Sequence, residues 1–134
     1  MQVFGVATDS SFVDFGEVVV EQGAAVLPVP SWLFGPVRVV MRLGTGRWPV
    51  DLEASPIDRS IPMLHIHGDA DQAIDVSNLT RLATITGGET LTVASADHIE
   101  SLTTDRPRYS DAVLHFLCRA LTQFDDRSPP TQPA

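Results

Sequence analysis

The sequence predicts an α/β fold with about three parallel strands flanked by helices. Three short, mainly apolar runs, at 2–8, 62–67 and 89–94, have the length of buried strands and are bounded by polar or turn-forming residues. Segments with apolar residues at helical spacing alternate with these runs. Such alternation is typical of parallel strands that are joined by helical crossovers.

Two helices are predicted between the first and second strands. Residues 14–25 carry apolar positions at helical spacing behind Asp14, a candidate N-cap, and residues 31–43 form the second helix. Prolines separate these helices, and residues 48–60 form a loop that leads to the second strand. The segment 14–60 is therefore a short helical insertion between two strands.

The second strand is the most clearly defined element of the sequence. A proline opens the run Met63–Ile66, and the pair His67-Gly68 ends it abruptly. The later elements are predicted to be a helix at 76–85, the third strand at 89–94, a helix at 108–124 and a disordered polar tail at 125–134.

Composition excludes several classes of partner. The chain has 134 residues, enough for one domain, here predicted at 1–124, and its net charge of −8 argues against nucleic acid and anionic membranes. The most apolar region, 18–41, is broken by prolines and charged residues, so no membrane span is expected. The start lacks a signal peptide, which predicts a soluble, cytoplasmic protein. The single cysteine, Cys118, is expected to be buried in the last helix.

An acid and a histidine follow neighbouring strands of the predicted sheet. Asp71 comes three residues after the glycine that ends the second strand, and His98 follows the third strand, 27 residues later. Because ligands and catalytic groups gather at the carboxyl ends of parallel strands, we expect these side chains to meet. A carboxylate that accepts from one imidazole nitrogen leaves the other nitrogen free to take a proton from a nucleophile.

The neighbouring acids and histidines are expected to have structural roles. Asp69 and Asp75 are predicted to be solvated or capping residues. His67 is predicted to brace the loop that carries Asp71. His65 faces away from the apolar side chains beside it in a period-2 strand, and it is predicted to be a hydrogen-bonded core histidine.

Four segments together resemble the C-terminal half of an α/β-hydrolase of the serine esterase, lipase or peptidase kind. They are T-D-S-S-F-V-D-F at 8–15, H-G-D-A-D at 67–71, A-D-H-I-E-S at 96–101 and Y-S-D-A-V-L-H-F-L at 109–117. The second segment looks like the family's acid loop, the third like its histidine loop and the fourth like its terminal helix. The resemblance covers residues 2–121 and implies a partial α/β-hydrolase fold.

The resemblance also implies roles for individual residues. Asp71 would be the triad acid and His98 the general base of a serine hydrolase that acts on ester or amide bonds by acyl transfer, without a metal or organic cofactor. The segment 14–60 would be a lid over the substrate. An apolar substrate pocket under that lid would be lined by Trp32, Leu33 and Phe34. The same three residues fit a core stripe equally well.

The sequence departs from the family at the nucleophile. The family's G-x-S-x-G elbow is absent, and neither Ser10 nor Ser11 lies between glycines at that spacing. By the resemblance, the chain begins beyond both the nucleophile and the oxyanion-hole loop. We therefore expect a chain that is inactive alone: a fragment or split-gene product, or the product of a mis-annotated start or a decaying gene. In the first case a complementary N-terminal half would supply the serine.

Two other functions remain open from the sequence. The pattern His65-x-His67-x-Asp69 matches part of a metallo-hydrolase motif, and imidazole and carboxylate ligands at this spacing suit zinc. Alanine stands at position 70, where that motif has a further histidine. The other alternative is a non-catalytic remnant or interaction module, since an unpaired first strand could pair with a partner chain.

Overall fold

A three-stranded parallel sheet forms the centre of the structure. The computed structural model describes residues 3–27, 30–34, 36–46 and 51–127. The strands lie in the order β1-β2-β3 and span Val6–Asp9, Met63–Gly68 and Glu89–Val93. Thr8 lies opposite His65 in the register of β1 and β2. The predicted α/β class and its three parallel strands are therefore confirmed.

Helices alternate with the strands along the chain. They are α1 at Phe15–Val26, a 3₁₀ turn at Ser31–Phe34, α2 at Val37–Thr45, α3 at Ser77–Thr86, α4 at Ser101–Thr104 and α5 at Arg106–Arg127. Within the described ranges, no helix combines the length and the apolar character that crossing a membrane requires.

The two faces of β2 pack against different helices because side chains alternate along a strand. Leu64 and Ile66 belong to a buried cluster with Phe116 of α5. His65 points to the opposite face, where its Nε2 lies 2.9 Å from Oγ1 of Thr86 at the end of α3. The body of β2 is thus held between α3 and α5.

Asp14 begins α1, as the sequence predicts. Its Oδ1 accepts from the backbone N–H groups of Gly16 at 2.6 Å and Glu17 at 3.2 Å, which are donors that a helix N-terminus leaves unpaired. Further along α1, Nε2 of Gln22 donates to the carbonyl oxygen of Ala73 at 2.6 Å. This bond attaches the insertion to the loop that follows β2.

The second predicted helix, at 31–43, is wrong in its bounds. Pro36 has no N–H to donate and interrupts the segment, so a 3₁₀ turn precedes it and α2 begins only at Val37. α2 ends at Thr45 and is capped by Gly46, whose φ of 72° lies in the left-handed region that glycine adopts freely.

The last helix is longer than the predicted 108–124. α5 begins at Arg106 and continues to Arg127, so the first residues of the predicted tail are helical. The remainder of that tail, 128–134, lies outside the described residues. The helices predicted from the sequence do not include α4, a single turn that leads from the third strand's loop into α5.

Candidate active site

Asp71 and His98 meet at the carboxyl edge of the sheet, as the sequence predicts. Oδ2 of Asp71 lies 3.0 Å from Nδ1 of His98. The Asp71 side chain is fully buried, whereas 40% of the His98 side chain is exposed. Nε2 of His98 has no hydrogen-bond partner among the described residues. An imidazole held in this way can accept a proton at Nε2 from a group that approaches from solvent.

Backbone donors fix the Asp71 carboxylate. Its Oδ1 accepts from the N–H groups of Ala73 at 2.9 Å and Ile74 at 2.8 Å. Burial alone would raise the pKa of Asp71, but hydrogen bonds from Ile74, His98, Ala73 and Ser10 together outweigh it and hold the pKa below its ordinary value. The carboxylate is therefore ionised at neutral pH and acts as an acceptor.

His67 lies beneath the acid loop. Its Nε2 is 2.9 Å from the carbonyl oxygen of Ile74 and 3.3 Å from Oδ2 of Asp71. A carbonyl only accepts, so the ring carries its proton on Nε2 and donates to Ile74. Nδ1 is buried without a partner among the described residues. His67 thus braces the loop that holds Asp71.

Gly68 lets the acid loop approach the histidine loop. A Cβ atom at this position would lie 2.1 Å from the carbonyl oxygen of Ala96. The same carbonyl accepts from the N–H of Ala70 at 3.1 Å. Only glycine allows this close contact of two backbones, which brings the residues after β2 and β3 together.

Carboxylates link the two loops further. Oδ1 of Asp97 accepts from the N–H of Gln72 at 3.0 Å and from the N–H of His98 at 2.8 Å. Oδ1 of Asp69 accepts from the N–H of Ser95 at 2.6 Å. Asp69 is therefore engaged with the backbone of the neighbouring loop, and Asp71 is the acid that reaches the His98 ring.

The end of β1 contributes contacts that the sequence does not predict. Oγ of Ser10 accepts from the N–H of Ile99 at 3.0 Å, and Oδ1 of Asp9 accepts from the hydroxyl of Ser101 at 2.8 Å. These partners are 89 and 92 residues apart along the chain, and no local pattern signals them.

Backbone strain is concentrated around the same loops. Among the described residues, positive φ angles outside glycine occur at Ser10, Ser95 and Ile99, with values of 50°, 60° and 55°. One follows β1, one follows β3 and one follows His98. Such conformations cost free energy and persist where surrounding contacts enforce them, often at functional sites.

An apolar cavity of about 480 Å³ lies beside β1, β2 and α3. Its apolar lining consists of Phe12, Leu52, Pro56, Ile57, Met63 and Leu82. Neither Asp71 nor His98 lines it.

The three residues predicted to line a substrate pocket do not line this cavity. Trp32 and Leu33 are 73% and 47% exposed. Phe34 packs against α1, where a Cβ atom at Gly23 would be 2.6 Å from its ring. Within the described chain, the 3₁₀ turn is thus attached to α1 through Phe34, and it presents Trp32 to solvent.

The histidines of the metal-like pattern have other partners. The Thr86 hydroxyl donates to the carbonyl oxygen of Leu82 at 2.8 Å, so it accepts from Nε2 of His65. Nδ1 of His65 then accepts from the hydroxyl of Thr8 at 2.9 Å. Both ring nitrogens are satisfied, as predicted for a core histidine. In the part of the chain that the structure describes, no group of three or more His, Cys, Asp or Glu side chains could hold a metal ion.

Comparisons with known proteins identify structural neighbours. No family model matches the chain, and no curated protein matches its sequence. Solved structures of the Pyrococcus furiosus esterase Pf2001 superpose with TM-scores of 0.58 in two crystal forms, at 20% and 16% sequence identity. They cover 87% and 86% of this chain but only 45% and 44% of the esterase. The likeness shows that the chain has an esterase-like α/β fold and spans less than half the length of these neighbours.

Proposed function

We propose that this chain supplies the acid and the histidine of a serine hydrolase that cleaves ester or amide bonds by acyl transfer. The observation that carries the proposal is the contact of 3.0 Å between the buried Asp71 carboxylate and the half-exposed His98 ring. Asp71 orients the ring and stabilises its protonated form. His98 is the general base and then the general acid.

The reaction needs a serine from another segment or chain, because this sequence has no G-x-S-x-G motif. In the first step, Nε2 of His98 takes the serine proton as the serine oxygen attacks the substrate carbonyl. The imidazolium then gives that proton to the departing alcohol or amine, which leaves an acyl-serine. Water hydrolyses the acyl-serine by the same proton transfers, releasing the acid and restoring the serine.

The partner in this proposal is a complementary N-terminal half that carries the serine and the oxyanion donors. Two observations support it. β1 lies at the edge of the sheet with one side unpaired by any described strand, and the chain covers 45% of an esterase neighbour. The segment 14–60 would serve as a lid, with Trp32 available to contact an apolar substrate. Without the partner, the proposal predicts negligible turnover.

The test begins with the DNA that flanks the coding sequence. A neighbouring segment that encodes G-x-S-x-G after an apolar strand would be produced together with the full chain, and hydrolysis of p-nitrophenyl acetate would be measured. We expect activity that requires both segments and that His98→Gln or Asp71→Asn abolishes. His115→Gln, an exposed histidine on α5, is the matched control and should retain activity.

Two outcomes would overturn the proposal. Absence of any such segment near the gene would favour a non-catalytic interaction module. Turnover by the purified chain alone, lost in His98→Gln, would show that the chain does not need an external nucleophile.

A further inference from the structure

We propose that Ser10 is a positioning residue for the Asp71–His98 pair, because its hydroxyl oxygen accepts from the backbone N–H of the residue that follows the histidine. The inference rests on the proposed function, since it assigns a role within the same site. Ser10 belongs to neither the acid loop nor the histidine loop, and it comes directly after β1.

A chain of contacts leads from Asp71 to Ser10. Oδ2 of Asp71 accepts a hydrogen bond from Nδ1 of His98 at 3.0 Å, and His98 precedes Ile99 in the chain. The N–H of Ile99 donates to Oγ of Ser10 at 3.0 Å. The Ser10 hydroxyl itself donates to Oδ1 of Asp9 at 3.5 Å, so it joins the end of β1 to the backbone beside His98.

Backbone strain at Ile99 explains why the position of the His98 imidazole depends on this hydroxyl. Ile99 has a φ of 55°, a conformation that is disfavoured for a β-branched residue. Its side chain is 68% exposed, so packing contributes little to holding it there. The bond from its N–H to Ser10 opposes relaxation to an ordinary φ. Relaxation would turn the peptide between His98 and Ile99 and move the ring away from Asp71.

A second contact, between Asp9 and Ser101, anchors the histidine loop independently of Ser10. Asp9 accepts from the Ser101 hydroxyl at 2.8 Å and so ties the start of α4 to β1. Loss of the Ser10 hydroxyl would leave this attachment in place. We therefore expect a local change at His98 and Ile99 rather than detachment of the whole loop.

The experiment compares Ser10→Ala with Ser11→Ala in the full ¹⁵N-labelled chain. Ser11 is the adjacent serine, is only partly buried and lies outside this chain of contacts. Long-range ¹H–¹⁵N spectra report which nitrogen of neutral His98 carries the proton, and amide exchange reports the protection of Ile99. We expect Ser10→Ala to weaken the Nδ1–H form and to speed Ile99 exchange by about tenfold, which corresponds to loss of one hydrogen bond. Ser11→Ala should match the original chain in both measurements.

The inference is overturned if Ser10→Ala folds and leaves both measurements unchanged, or if Ser11→Ala changes them equally. Should Ser10→Ala fail to fold, Ser10→Gly removes the same hydroxyl and tolerates the φ of 50° at this position. Neither measurement needs a nucleophile. The result therefore stands apart from the success or failure of the complementation experiment.

Discussion

The Asp71 carboxylate reaches His98 through one oxygen only, because its other oxygen is occupied by backbone donors. Oδ2 lies 3.0 Å from Nδ1 of His98, whereas Oδ1 accepts from the N–H groups of Ala73 and Ile74 at 2.9 and 2.8 Å. The carboxylate therefore cannot rotate without losing two hydrogen bonds. This division gives the pair a fixed orientation that a flexible surface ion pair would lack.

Replacing Asp71 by asparagine should move the ring proton of neutral His98 from Nδ1 to Nε2. The N–H groups of Ala73 and Ile74 require an oxygen, so the asparagine amide must place its NH₂ group towards Nδ1 of His98. Nδ1 then becomes an acceptor, and the ring proton moves to Nε2. Long-range ¹H–¹⁵N spectra of the neutral ring measure this exchange directly.

Asp69→Asn is the control for that substitution, because Asp69 accepts from the N–H of Ser95 and does not contact the His98 ring. It should leave the proton of His98 on Nδ1. If the Asp71→Asn chain also keeps its proton on Nδ1, the contact between Asp71 and His98 does not determine the proton position.

His65 should make the stability of the fold depend on pH. Burial lowers the pKa of His65 below its ordinary value of 6.5, so the unfolded chain binds a proton more readily than the folded chain. The stabilising contribution of the neutral ring is complete above that ordinary value and is lost as the pH falls towards the folded pKa. Urea unfolding from about pH 7 to about pH 5 should show this loss.

The comparison needs two histidine variants. His65→Gln should be less stable than the original chain near neutral pH, because its contacts with Thr8 and Thr86 are disturbed, but its stability should change less with pH. His115→Gln, exposed on α5, should keep the original pH dependence. If the free energy of unfolding changes equally with pH in all three chains, His65 does not cause the pH dependence.

A methyl group at Gly68 should destabilise the fold strongly. The added Cβ would lie 2.1 Å from the carbonyl oxygen of Ala96, a backbone atom that cannot move without separating the two loops. We expect a loss on the order of 3 kcal/mol in the free energy of unfolding. At Gly44 in α2 a Cβ would meet nothing within 4 Å, so Gly44→Ala should be neutral or stabilise by about 1 kcal/mol. Similar unfolding midpoints for the two variants would contradict the close approach at Gly68.

The meeting of Asp71 and His98 could be predicted because it depends on features that the sequence displays. Short apolar runs indicate strands, and alternation with helices indicates a parallel sheet, so residues after successive strands share an edge. The role of Ser10 could not be predicted in this way. Its partner Ile99 is 89 residues distant, and nothing near a serine in sequence tells which backbone group its hydroxyl will meet.

Burial on a helix was also difficult to predict from apolar content alone. Cys118 was expected to be buried, but it is exposed, and that prediction is wrong. Phe116 and Ala120 are buried on α5 and are four residues apart, so they share a face. Residue 118 lies between them in sequence and therefore points to the opposite side of the helix. The register of the helix against the sheet, rather than its composition, decides which residues are buried.

Hydrogen exchange along β1 should alternate from one residue to the next. The N–H of Val6 donates to the carbonyl oxygen of Pro62, and the N–H of Ser10 donates to that of Ile66, both at 3.0 Å. In a parallel strand alternate residues face the same neighbour, so the N–H of Ala7 points to the open edge.

In the isolated chain we therefore expect fast exchange at exposed Ala7 and slower exchange at Val6 and Ser10, measured residue by residue by NMR. If a complementary half adds a strand to this edge, Ala7 should become protected while Val6 and Ser10 change little, because their bonds to β2 already exist. Strong protection of Ala7 in the monomeric chain would mean that another segment of the chain already pairs with β1. The edge would then be closed to a partner, and the proposed complementary half would need a different docking site.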